Sequence, residues 1–72
     1  MKPTVVHSGI ASGGRKIIVT EEFSERERLH LLICRLAGKL VAYVPVDHDD
    51  TATIPAIAQK MAYAAAVDSD FY

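Results

Sequence analysis

"SERERLHLLICRLAGK" (residues 24–39) can fold in two ways, and the choice decides the architecture. As a helix, Ser24 and Glu27 have the spacing of a capping box, in which each side chain satisfies an otherwise orphaned backbone N–H. Leu29, Leu32, Ile33 and Leu36 then fall at i, i+3, i+4 and i+7, one apolar stripe. Arg28, His30 and Arg35 lie off that stripe, and Gly38 takes the left-handed position that ends a helix. As a hairpin, "RLAGK" (35–39) becomes a type I turn closed by a G1 bulge, with "LHLLIC" (29–34) pairing to "LVAYVPV" (40–46). The unbroken apolar run Leu31–Cys34 departs from strand alternation and tilts the balance towards the helix. Either way Gly38 reverses the chain.

Outward from this stretch the signals are clearer. "TVVHSGI" (4–10) and "RKIIVTEEF" (15–23) are β-branched runs separated by "ASGG", whose Gly13 and Gly14 suit the positive φ of a hairpin loop. "LVAYVPV" is a strand under both alternatives. Pro45 removes an N–H near its end and places it at a sheet edge or terminus. "DHDDTAT" (47–53) is a polar loop in which Thr51 or Thr53 can cap the next helix, with Asp49 and Asp50 near its positive end. A helix is expected from Ile54 to about Val67, with Pro55 tolerated in its first turn. Ile54, Ile57, Ala58, Met61 and Ala65 form its buried stripe. "DSDFY" closes the chain, Phe71 and Tyr72 either folding back on the core or serving as a contact hook. The expected fold is α+β: a small antiparallel sheet on a C-terminal helix, with 25–37 a second helix or a further strand.

The 72 residues, half of them hydrophobic, make one domain (1–72) with a thin core and little room for a buried active site. Cys34 is the single cysteine, so neither an internal disulfide nor a cysteine-based zinc site can form, which suits a reducing cytoplasm. "MKPTVVHSGI" does not read as a signal peptide, and no apolar run approaches the roughly 18 residues of a membrane span. A soluble, cytoplasmic protein is expected. The net charge of −1 argues against a general nucleic-acid binder. Residues 1–40 carry seven Lys/Arg against four Glu, and residues 41–72 carry Lys60 against five Asp. A charge-split surface suits oriented docking to a protein.

No catalytic set is legible. Ser8, Ser12 and Cys34 are possible nucleophiles and His7, His30 and His48 possible bases, but no local signature links them. His7 and Ser8 would point to opposite faces of a strand. In "DHDD" (47–50), Asp47, Asp49 and Thr51 start like a calcium loop, but Ala52 and Ala58 stand where glycine and glutamate are required. No cofactor and no metal ligand is assigned. "SGIASGGRK" (8–16) lacks the ending and setting of a phosphate loop. What remains is a binding surface. Arg15, Lys16, Arg26 and Arg28 are the candidates on the basic side, and Asp47, Asp49 and Asp50 on the acidic side.

The size of the chain, its opening "MKPTVVHSG" (1–9) and its strand-rich body ending in an Ala-rich helix resemble the small bacteriophage-encoded regulators that bind host RNA polymerase. The resemblance implies a non-enzymatic protein that docks on the largest polymerase subunits, inhibits transcription initiation and lets polymerase read through terminators. It carries over no residue. The alternatives are a small nucleic-acid-binding regulator using the basic first half, or an inhibitor of another bacterial complex such as a defence nuclease.

Overall fold

The computed structural model describes residues 3–69. Its order is β1 (Thr4–Ile10), a single 3-10 turn (Ser12–Gly14), β2 (Lys16–Ser24), β3 (Leu29–Leu36), β4 (Lys39–Val46) and α1 (Thr53–Ser69). The strands form one antiparallel sheet in the order β1-β2-β3-β4, and α1 lies across one face. The α+β expectation holds. Phe71 and Tyr72 lie outside the described residues.

The ambiguous stretch is a strand, and the tilt towards a helix is overturned. β3 is a central strand, paired with β2 from Ile17↔Leu36 to Ser24↔Leu29 and with β4 from His30↔Val46 to Leu36↔Lys39. A helix here would leave β2 and β4 unjoined. The continuous apolar run fits a central strand whose one face is buried under the helix and whose other face remains apolar. Leu32 and Cys34 are fully buried beneath α1, while Leu31 and Ile33 are half-buried on the opposite face. The capping signal survives without its helix: the Glu27 N–H still donates to Ser24 Oγ, at 3.4 Å, inside the four-residue loop 25–28. The loop is closed by Arg28 N–H to Ser24 C=O at 2.7 Å, with Arg28 in the left-handed region at φ 57°.

The turn after β3 also departs from the expected type I turn with a G1 bulge. Leu36 pairs directly with Lys39, and the two residues between them, Ala37 and Gly38, both have positive φ, 52° and 82°. That is a two-residue I′-type turn, whose twist matches the strands it joins. Gly13 and Gly14 supply positive φ in the first hairpin as expected, 80° and 78°.

The core lies between sheet and helix. Ile17, Val19, Leu32 and Cys34 from the sheet meet Ile54, Ala58 and Ala62 from α1, with Ala11 closing one end. Ile57, Met61, Ala65 and Ala66 pack around it. The alanines let the helix backbone approach the sheet closely. The helix cap is reassigned from Thr51 or Thr53 to Asp50. Its Oδ1 accepts the Thr53 N–H at 3.3 Å and its Oδ2 accepts the Thr53 hydroxyl at 2.7 Å. Both edge strands are irregular: the register of β1 shifts between Val5 and His7, and that of β4 shifts opposite Cys34/Arg35. Pro45 sits on the β4 edge, as its missing N–H requires.

Candidate functional site

The face of the sheet turned away from α1 is uncovered. Strand alternation brings Ile18, Thr20 and Glu22 of β2 to this face beside Leu31, Ile33 and Arg35 of β3. Val5 lies opposite Thr20 on β1, and Tyr43 opposite Ile33 on β4. Val5 and Tyr43 are more than half exposed, at 61% and 63%. In the middle stands a polar triad. Arg35 Nη1 donates to Glu22 Oε2 at 2.9 Å and to Thr20 Oγ1 at 3.3 Å, and the Thr20 hydroxyl donates to Glu22 Oε2 at 2.7 Å. The Thr20 hydroxyl and the Arg35 guanidinium hold the Glu22 carboxyl below its ordinary range. The opposite charges of Arg35 and Glu22 balance within the triad, leaving a self-neutralised centre in an apolar surround.

The two basic pairs of sequence candidates are separated by the length of the sheet. Arg15, whose Nε donates to Ser12 C=O at 3.0 Å, and Lys16 lie where β2 begins. With Ile18, Thr20, Arg35 and Gly38 they line a broad depression of ≈ 750 Å³ on the uncovered face. Arg26 and Arg28 lie in the loop after Ser24, roughly 26 Å away at the rise of an extended strand. His30 pairs with Val46, so that loop shares its end of the sheet with Asp47, Asp49 and Asp50. The basic and acidic halves of the sequence therefore do not become two opposed faces. Two of the aspartates are engaged with the backbone: Asp47 Oδ1 accepts the Asp49 N–H at 3.0 Å, and Asp50 caps α1.

At that same end, on the helix side of the sheet, three side chains converge. Glu21 of β2, only 9% exposed, directs Oε2 to Nδ1 of His48 at 2.7 Å and towards Nδ1 of His30 at 3.6 Å. The two imidazoles stack with centroids 4.3 Å apart and planes 19° from parallel, and Phe23 lies against His30 at 5.0 Å. The hydrogen bond and charge of Glu21 raise the pKa of His48, with smaller contributions from Asp49 and Asp47. His30 Nδ1 is buried and has no hydrogen-bond partner. Reading the residues alone names His30 and His48 as bases but misses Glu21. Its partnership follows from the register, which places Glu21 opposite Leu32 and Phe23 opposite His30. Once 25–28 is read as a four-residue hairpin loop, Glu21 and His30 share a face.

Cys34 is fully buried, and burial pushes its thiol pKa up, the reverse of what a reactive thiolate needs. His7 pairs with Val19 on the helix side while Ser8 pairs with Ile18 on the uncovered side, so the two do face apart. Among the described residues no helix is long and apolar enough to cross a membrane. No family model matches the chain, and no curated protein or solved structure shows significant similarity to it.

Proposed function

We propose that this is a non-enzymatic binding module acting in the bacterial cytoplasm by docking on a large protein machine. Host RNA polymerase, through its largest subunits, is the first candidate, with inhibition of initiation, antitermination or both as the outcome. The observation that carries this reading is the uncovered sheet face. Its aliphatic and aromatic side chains surround a neutralised Arg35–Glu22 centre, and Arg15 and Lys16 stand at one end. Such a face fits a protein surface with an apolar middle and an acidic rim. A few anchors on it, Tyr43 and Ile33 foremost, would supply most of the affinity. A stable interface takes about 800 Å² from each partner, a modest share of the 5158 Å² exposed here. The choice of polymerase rests on the resemblance described above.

The test mixes the purified chain with bacterial RNA polymerase core and holoenzyme. Complex formation, abortive initiation and terminator read-through are then measured. A complex is expected, weakened by Tyr43→Asp and by Lys16→Glu while the thermal unfolding of each variant stays near that of the parent. No complex with either form of polymerase at micromolar concentration, or a complex indifferent to both variants, overturns the proposal. Binding to DNA or RNA alone that falls steeply with salt would instead establish the nucleic-acid alternative.

A further inference from the structure

We propose that Glu21, His30 and His48 form a binding site for a divalent transition-metal ion of the zinc type. The donor set is two imidazole nitrogens and one carboxylate oxygen, the set zinc accepts while keeping a fourth position for water. One ligand atom from each residue lies within 4.8 Å of the others. Ligands about 2.0–2.2 Å from a tetrahedral ion stand about 3.3–3.6 Å from one another. The Glu21 Oε2 contacts at 2.7 and 3.6 Å bracket that separation, so the Glu21–His30 pair already stands at ligand spacing and His48 completes the shell by reorienting. Hard oxygen-seeking ions such as calcium and magnesium are excluded, because two of the three donors are nitrogen.

The second, independent observation is the orphaned Nδ1 of His30. A buried polar nitrogen without a partner is costly, and this one points at a carboxylate oxygen it does not reach for a hydrogen bond. An ion between them would satisfy it. His30 and Glu21 are fixed by the paired β2 and β3, whereas His48 comes from the loop before α1 and its side chain is half exposed, at 51%. That division matters, because near-parallel stacked rings cannot both aim an in-plane lone pair at one ion. His48 must therefore swing off the stack, and its exposed position allows this. Its Nδ1 then exchanges the hydrogen bond to Glu21 for a bond to the metal, and any proton it carries leaves to solvent. The exposed side of His48 leaves the fourth position open to water.

The experiment uses the untagged full chain, freed of metal by chelation, with Zn²⁺ as ligand and Mg²⁺ and Ca²⁺ as controls. Calorimetry is expected to give one Zn²⁺ per chain, and the unfolding temperature should rise with Zn²⁺ but with neither control. Co²⁺ should show the visible absorption of a tetrahedral site. In the unmodified chain, Zn²⁺ should shift the ring resonances of His30 and His48 while leaving His7 in place. His48→Ala, an exposed change that spares the core, should weaken binding more than tenfold, since loss of even an outer partner of a ligand costs roughly 10–100-fold. Glu21→Gln should do the same. Absence of one-to-one binding, affinity unchanged in His48→Ala, or shifts confined to His7 would overturn the site. The ring resonances of the parent chain decide the question even if Glu21→Gln does not fold. A failure here leaves the polymerase proposal untouched, since the cluster lies on the helix side of the sheet.

Discussion

Arg35 and Glu22, separated by 13 residues in sequence, meet at 2.9 Å on the uncovered face of the sheet, and Thr20 binds both. Because the Thr20 hydroxyl and then the Arg35 guanidinium lower the pKa of Glu22 in the folded chain from its ordinary 4.5, the triad ties stability to pH in one direction. A carboxyl with a depressed folded pKa contributes stability that is complete above the unfolded value and is lost as pH falls through the folded one. The parent should therefore be more stable than Glu22→Gln at neutral pH, by at most about 1 kcal/mol for so accessible a pair. The gap should close progressively as the pH is taken below 4.5. Urea unfolding at several pH values measures it, and a gap that does not change with pH would rule out this linkage.

The β3–β4 turn makes a second expectation. Ala37 adopts φ 52°, a left-handed conformation that costs a residue with a Cβ roughly 1–2 kcal/mol, whereas asparagine enters it more cheaply. Ala37→Asn should raise the unfolding temperature by a few degrees, the size expected when about 0.5–1 kcal/mol is added to so small a domain. Gly38→Val should lower it. A Cβ at Gly38 would meet nothing within 4 Å, so the whole penalty comes from forcing φ 82° on a β-branched residue. Calorimetric scans of the two variants should move in opposite directions; a stable Gly38→Val would mean the turn is not I′.

A third concerns the start of α1. Asp50 caps it through Thr53, while Thr51 makes no such bond. Asp50→Ala should cost about 1 kcal/mol, within the usual range for a lost cap, and Thr51→Ala close to nothing. Denaturant titration of both distinguishes this assignment from capping by Thr51.

Where local chemistry dominates, the fold was legible in the residues. The β-branched runs around Gly13 and Gly14, the edge position of Pro45 and the buried face of α1 each follow from the side chains present. Residues 24–36 were not, because their local signals are real and are outvoted. Ser24 and Glu27 do make half of a capping box, and Leu29, Leu32, Ile33 and Leu36 do have helical spacing. Only the simultaneous pairing of β3 with β2 and β4 makes the strand the better arrangement, and no single stretch contains that information. The Glu21 cluster was hidden for the same reason. Its members come from β2, β3 and the loop before α1, and nothing local joins them. Within "DHDD" it is His48 that joins this cluster, while Asp47 and Asp50 accept from backbone N–H groups.

The irregular edges of the sheet bear on how this chain behaves in a crowded solution. A four-stranded meander has two open rims, each a row of backbone donors and acceptors that invites another strand. Here the register shift near Val5 bends one rim, while the shift in β4 and the missing N–H of Pro45 interrupt the other. A second copy or an unfolded neighbour finds no straight ladder to extend. The chain can thus leave Val5, Ile18 and Tyr43 open to solvent while neither rim offers a straight ladder for fibrous growth.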